Sequence, residues 1–100
     1  MTKHQVDICG NLWVLEFRRI GRTVSDSGQC MPAERVMWVL ESQQPRNVLD
    51  TLIHETVEAV GVETRPIPHW QIYAIAEAVT NVLLAAGYRR QKMYSSGTKV

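Results

Sequence analysis

Apolar residues recur at two different periods along this chain, and the change of period divides it into two halves. Between Leu12 and Ile20, the side chains of Trp13, Leu15 and Phe17 alternate with their neighbours. This period-two pattern predicts a β-strand with one buried face. The following segment, Gly21 to Pro32, is rich in turn-forming residues and is predicted to be a loop.

The segment from Arg35 to Glu41 has the composition of a second strand. The preceding residues, Pro32 to Glu34, are equally compatible with the start of a short helix. The polar N-terminus that contains His4 shows no apolar stretch, and we do not expect this histidine to bind a metal. The first half therefore predicts a small β-sheet or hairpin.

The second half follows helical spacing. A first helix is predicted to begin at Pro45 and to end near Gly61, a residue type that often closes helices. Its apolar positions are Leu49, Leu52, Ile53, Val57 and Val60. The stretch from Thr64 to Pro68 contains two prolines, which prevent a continuous helix and make a stiff connection.

A second helix is predicted from His69 to Ala86, closed by Gly87. Its apolar stripe is expected to face the first helix. The stripe comprises Ile72, Ile75, Ala76, Val79, Val82, Leu83 and Ala86. Two helices beside a small sheet define an α+β fold.

Composition limits the organisation of the chain. One hundred residues with 45% hydrophobic content are enough for one small core, so we expect a single domain over residues 1–90 and a flexible polar tail over 91–100. Cys9 and Cys30 lack the spacing of a metal motif and are expected to be buried or neutral thiols. Trp13, Trp38 and Trp70 are expected in the core or in the wall of a groove.

The charge and hydropathy of the chain bear on partners and location. The net charge of +1 gives no general attraction to nucleic acid or membranes. No run of about 18 apolar residues is present, and the first residues lack the apolar stretch of a signal peptide, so a cytoplasmic location is expected. A basic patch would form only if a strand end met the tail. Its members would be Arg18, Arg19, Arg22, Arg89, Arg90 and Lys92.

The motif with the most specific chemistry lies on the first predicted helix. Residues 52–58 read LIHETVE, which differs by one letter from the HExxH motif of zinc hydrolases. His54 and Glu58 are one helical turn apart and share a side, and imidazole and carboxylate are both zinc ligands. Glu55 is turned away from them and is predicted to be the general base. Asp50 precedes His54 by four residues and is a candidate acceptor that would orient its imidazole, with a solvated position on the surface as the slightly favoured alternative.

Catalytic zinc commonly has three protein ligands, so a third must come from elsewhere in the chain. His69 is the first candidate because it lies at the edge of the stripe that packs inward. Glu63 requires a sharp reversal of the chain and ranks second. Glu77 lies across the helix from the centre of the stripe and ranks third.

These segments resemble the small SprT-like, or minimal zincin, metallopeptidases of phages and prophages. The resemblance runs from about Ile8 to Arg90 and is carried by three segments. They are Gly28-Gln29-Cys30, the LDTLIHE sequence from Leu49 to Glu55, and Leu83 to Arg89. It implies a zinc-dependent hydrolysis of peptide bonds.

The chain departs from the family pattern at two positions. Such proteins usually carry HExxH followed by a glutamate near the start of the next helix, whereas this chain has Glu58 and His69 in the opposite order. The exchange keeps two histidines and one carboxylate. We therefore expect Zn2+ bound by His54, Glu58 and His69, with a polypeptide as substrate or partner.

Two other classes of function remain open. The same fold is compatible with an inactive protein of the virion or one that binds a host factor, with a structural metal or none. The arginines are compatible with a protein that associates with nucleic acid. An open coordination position beside Glu55 would indicate an enzyme, and a fourth protein ligand would indicate a structural site.

Overall fold

The computed structural model describes residues 2–19 and 27–89. Its elements are β1 (Thr2–Ile8), β2 (Asn11–Arg18), β3 (Gly28–Met31), β4 (Val36–Leu40), α1 (Pro45–Glu63) and α2 (His69–Ala85). The four strands form one sheet in the order β1-β2-β4-β3. The pairs β1/β2 and β3/β4 are antiparallel and β2/β4 is parallel, so the sheet is mixed. The predicted α+β class is confirmed.

Strand β2 supplies much of the core. Trp13, Leu15 and Phe17 are all buried on the face of the sheet that packs against α1, as their alternation predicts. Met37 and Val39 of β4 join the same cluster, as does Val48 of α1. The predicted strand at 35–41 is thereby confirmed, and the helical alternative at 32–34 is wrong because those residues form a turn.

The opposite face of the sheet buries one aromatic ring under charged side chains. Trp38 is aligned with Glu16 and Gln29 in the strand register and donates a hydrogen bond from its indole nitrogen to Gln29. The Arg18 guanidinium lies 4.7 Å from the centre of the Trp38 ring and also pairs with Glu16. The Arg18 side chain, a member of the predicted basic patch, is therefore engaged with Trp38 and Glu16 of the sheet. Arg22, Arg90 and Lys92 of the predicted basic patch lie outside the described residues.

Strand β1 was not predicted. His4 lies within it rather than in a loose terminus, and the strand pairs with β2 along its whole length. Its exposed positions, which include Lys3 and Asp7, alternate with partly or fully buried ones. The turn to β2 uses positive φ angles at Cys9 and Gly10, which is typical of tight hairpins. Cys9 is exposed there, so burial, one of the two alternatives predicted for this thiol, does not apply to it.

Strand β3 corrects the predicted loop at 21–32. Residues Gly28–Met31 pair with β4, although their sequence contains turn-forming residues. Pairing with a neighbouring strand overrides such weak local preferences. Cys30 of this strand is buried in the core, as expected. Residues 21–26 of the predicted loop, and Ile20 at the end of the predicted first strand, lie outside the described residues.

Helix α1 begins at Pro45, as predicted, but does not end at Gly61. It continues to Glu63, and Gly61 is a buried residue within it. A Cβ atom at this position would lie 3.3 Å from the backbone nitrogen of Ile67. The glycine therefore allows the chain that returns toward α2 to approach the helix closely, which is a second common use of this residue.

The C-terminal end of α1 is attached to the sheet by one carboxylate. Glu63 accepts hydrogen bonds from the side chains of Asn11 and Trp13 of β2 and from Arg35, which precedes β4. The Arg35 guanidinium, helped by the Trp13 and Asn11 donors, holds the pKa of Glu63 below its ordinary value. Three parts of the chain, the end of α1, strand β2 and the turn before β4, therefore meet at this carboxylate.

Helix α2 covers His69–Ala85, close to its predicted range, and packs mainly against α1. Gly87 has a φ of +93°, and the backbone N–H groups of Gly87 and Tyr88 bond back to Leu84 and Leu83. This is the predicted glycine closure of the helix. Neither helix of the described residues is long and apolar enough to cross a membrane.

The inward face of α2 is narrower than predicted. Ile72, Ala76 and Thr80 are buried, whereas Val79 and Val82 of the predicted stripe are exposed. Contact with a single helix covers one narrow line of positions spaced by four, and this explains the difference. Trp70 is also exposed, so its predicted place in the core or in a groove wall is wrong, while Trp13 and Trp38 are buried as expected.

Candidate metal centre

A cleft of about 480 Å³ lies where α1, the start of α2 and the edge strand β3 meet. Helix α1 presents His54 and Glu58 to it from successive turns, and His69 is the first residue of α2. The proline-containing connection brings His69 back alongside Glu58. The other lining residues are Ser27, Gly28, Gln29, Cys30, Asp50, Thr51, Glu55 and Tyr73.

Three of the predicted ligands converge in this cleft. The Nε2 atom of His54 lies 3.6 Å from Oε1 of Glu58, and Nε2 of His69 lies 3.7 Å from the same oxygen. Two donors that each bind one tetrahedral zinc at its usual bond length are about 3.4 Å apart. The observed separations differ from this value by a few tenths of an ångström. Each histidine–Glu58 pair therefore fits such an ion with small side-chain movements. The group whose donor atoms all lie within 4.8 Å of one another is His54, Glu55 and Glu58, so His69 has to move towards His54 to complete the predicted set.

Glu55 is the buried acidic residue of the cleft, with only 6% of its surface exposed. One of its oxygens belongs to a group with donor atoms of His54 and Glu58 in which all separations are within 4.8 Å. Burial, together with the negative charge of Glu58, raises the pKa of Glu55 to about 7. A carboxylate with this pKa can accept and release a proton near neutral pH.

Glycine at position 28 makes room for this carboxylate. A Cβ atom on Gly28 would lie 2.6 Å from Cγ2 of Thr51, 2.8 Å from the Trp38 carbonyl oxygen and 3.4 Å from Oε2 of Glu55. Any larger residue would collide with α1 and with the backbone of β4. The glycine thus permits β3 and α1 to approach each other at the level of Glu55.

Cys30, like Gly28, belongs to β3 and lines the β3 side of the cleft. Burial and the nearby carboxylates of Glu58 and Glu55 raise the pKa of its thiol to about 12. In the absence of a metal, the thiol is therefore neutral at physiological pH, as predicted from its sequence context.

The other predicted site residues, Glu63, Glu77 and Asp50, do not lie beside the imidazoles of His54 and His69 in the way that Glu58 does. Glu63 is engaged at the far end of α1 with Arg35, and Glu77 lines a separate polar cleft on α2. Asp50 lines the main cleft, but within residues 2–19 and 27–89 no hydrogen bond joins its carboxylate to His54. Of the three candidates for a third ligand, His69 is the one that the structure brings to His54 and Glu58.

Two residues of the cleft received no role from the sequence: Tyr73 was not singled out, and Gly28 was named only within the Gly28-Gln29-Cys30 segment of the resemblance. Tyr73 contacts the imidazole of His54, and Gly28 creates space for Glu55. Tyr73 follows His69 by four residues, so helical spacing predicts that the two share a side. Gly28 had no such local indication, because its role depends on the packing of β3 against a distant helix.

Searches of the known protein families, of curated proteins and of solved structures found no match to this chain.

Proposed function

We propose that the chain is a zinc-dependent peptidase with an HExxE motif, and that His54, Glu58 and His69 bind the metal. The observation that supports this most strongly is the approach of two imidazole nitrogens to one Glu58 oxygen, with the buried Glu55 beside them. Two histidines and one carboxylate are a common ligand set of zinc hydrolases. The resemblance of the motif helix to minimal zincins supports the same function.

In this proposal the three metal ligands and Glu55 have different tasks. Zinc held by His54, Glu58 and His69 would supply a Lewis acid for the peptide carbonyl and for an attacking water. Glu55 would accept a proton from the water whose oxygen attacks the carbonyl carbon. The protonated Glu55 would then donate this proton to the amide nitrogen as the C–N bond breaks, which gives an amine and a carboxylic acid that keeps the second proton of the water. In the metal-free chain, burial and the charge of Glu58 raise the pKa of Glu55 to about 7, and a bound cation would lower it towards its ordinary value.

The substrate proposed is an exposed, flexible polypeptide. The cleft is formed by two helices and one edge strand, and no described segment adds a further lobe around it. An extended chain can enter such an open cleft more readily than a folded domain. We further propose that the protein acts in the cytoplasm, in the host cell if it is encoded by a phage, as the resemblance implies.

A second candidate is an inactive zincin-like protein with a structural metal. The observation in its favour is that a Glu55 oxygen already groups with donor atoms of His54 and Glu58. If Glu55 served as a fourth ligand, the site would be closed and no position would remain for water. Such a protein would act by binding a partner.

Metal analysis and one substitution separate the two candidates. Protein purified without added zinc should contain about one zinc per chain, and His54→Ala should lower that content. Glu55→Gln should keep the zinc and abolish hydrolysis of an unfolded polypeptide such as reduced casein. Loss of zinc from the Glu55→Gln variant would support the structural site instead. Hydrolysis that persists in this variant would exclude Glu55 as the base.

A further inference from the structure

The imidazoles of the candidate metal centre lack the hydrogen bonds that usually orient metal ligands. Histidine ligands generally donate their second ring nitrogen to a carboxylate, a carbonyl or water. In the part of the chain that the structure describes, no hydrogen bond reaches the ring of His54 or His69. The side chain of His69 is also 69% exposed. Contacts with neighbouring side chains are what remains to orient these rings.

The ring of Tyr73 contacts both imidazoles. Its centre lies 4.8 Å from that of His54, with the planes tilted by 55°, and 6.2 Å from that of His69, in an edge-to-face arrangement. The two imidazoles are themselves 5.9 Å apart and nearly perpendicular. These separations are in the range in which aromatic rings attract each other with a preferred geometry. Three rings from two helices therefore form one cluster.

The position of Tyr73 on α2 explains how one ring reaches both histidines. It follows His69 by four residues, so it lies one turn further along the same side of the helix. From there it also faces α1 at the level of His54. Its ring lines the main cleft on one side and a smaller polar cleft, with Asp50 and Glu77, on the other.

We propose that Tyr73 is a positioning residue for the metal ligands, and that its ring holds the imidazoles of His54 and His69 in the orientation that binds zinc. This inference rests on the metal site proposed above. The phenol hydroxyl is not required, because no described residue forms a hydrogen bond with it and the contacts are made by the ring. The ring thus takes the place of the acceptor predicted at Asp50.

The test compares three variants of the full chain. Tyr73→Phe keeps the ring and removes the hydroxyl, and Tyr73→Leu removes the ring. Tyr88→Leu is the matched control, because Tyr88 has a similar exposed fraction, 64% against 61% for Tyr73, and lies beyond the end of α2. Zinc affinity is measured by competition with a chromophoric chelator. The imidazole C–H resonances are recorded by NMR on metal-free protein.

We expect Tyr73→Leu to weaken zinc binding by about tenfold or more, which is the usual effect of removing a residue that orients a metal ligand. Tyr73→Phe and Tyr88→Leu should stay within about twofold of the parent. In the metal-free protein, Tyr73→Leu should shift the His54 resonances, since the ring current of Tyr73 is lost, and Tyr73→Phe should not. The midpoint of thermal unfolding should be similar in all three variants, because Tyr73 is largely exposed.

The two measurements also separate this inference from the proposed function. If the NMR shifts occur as expected but the parent binds no zinc, the metal site is wrong and the contact of Tyr73 with the imidazoles stands as packing alone, which overturns its positioning role. If the parent binds zinc and Tyr73→Leu binds it equally well, the positioning role is wrong and the metal site stands. A loss of affinity in Tyr73→Phe equal to that in Tyr73→Leu would assign the effect to the hydroxyl and would also overturn the inference.

Discussion

The burial of Glu55 makes the stability of the metal-free protein depend on pH in a specific direction. Its pKa is about 7 in the folded chain, compared with an ordinary value of 4.5. Below pH 4.5 the carboxyl group is protonated in both the folded and the unfolded chain, and it adds no cost. As the pH rises from 4.5 to 7, the unfolded chain loses this proton first, so the free energy of unfolding falls. Above pH 7 the penalty is constant.

The size of this effect follows from the same two values. One unit of pKa corresponds to 1.36 kcal/mol, so the difference between 4.5 and about 7 sets an upper limit of about 3–4 kcal/mol. Glutamine cannot ionise and has nearly the same shape. In the presence of a chelator, Glu55→Gln should therefore match the parent near pH 4 and exceed its free energy of unfolding by about 2–3 kcal/mol at pH 8.

The assay is urea unfolding of both proteins between pH 4 and pH 8 with a chelator present. Both proteins share the other titratable groups that line the cleft with Glu55, which are Cys30, Asp50, His54, Glu58, His69 and Tyr73. Glu58→Gln should recover a smaller part of the stability, because the charge of Glu58 is the second cause of the raised pKa after burial. The exposed Glu77→Gln is the control. A difference between Glu55→Gln and the parent that does not change with pH would refute the burial of an ionisable Glu55.

Three further predictions test the site and the fold. If Glu58 and His69 share one ion, Glu58→His and His69→Glu should each weaken zinc binding, and the double variant should recover it. A double-mutant cycle on zinc affinity should then give a coupling of about 0.5–3 kcal/mol. Additive effects would mean that the two side chains do not share a metal. Gly28→Ala should lower the free energy of unfolding by about 1–3 kcal/mol in chemical denaturation, because its Cβ collides with α1 and β4. Adding Thr51→Ser should restore part of this loss by removing Cγ2. An unchanged stability of Gly28→Ala would contradict the close packing. Gly87→Ala should cost about 1 kcal/mol in the same assay, because its φ of +93° is strained for any residue with a Cβ, and a neutral result would contradict the helix closure.

The features that could be predicted from the sequence are those determined by residues close together in the chain. The alternation in β2, the start of α1 at Pro45 and the closure of α2 at Gly87 depend on local patterns, and the structure confirms them. Strand β3 could not be predicted, because its four residues are a strand only through pairing with β4. The parallel pairing of β2 with β4 likewise depends on the path of the whole chain.

The candidate site shows the same division. The one-turn spacing of His54 and Glu58 and the position of His69 beside the inward face of α2 are local properties, and the structure brings all three together. The roles of these residues stay predictions. The distance between β3 and α1, which makes Gly28 necessary, is a property of tertiary packing and leaves no pattern in a single sequence.

The ligand set of the candidate centre draws its members from two helices, and this has a consequence for the attachment of α2. That helix packs mainly on α1 through a narrow line of residues, whereas α1 is also fixed to the sheet through Glu63. An ion held jointly by His54, Glu58 and His69 binds only while α2 is docked, so its binding free energy opposes the separation of the helices. At a free zinc concentration 100 times the dissociation constant, this would add about 2.7 kcal/mol to the docking of α2. The docking of α2 onto α1 would then depend on the concentration of free zinc.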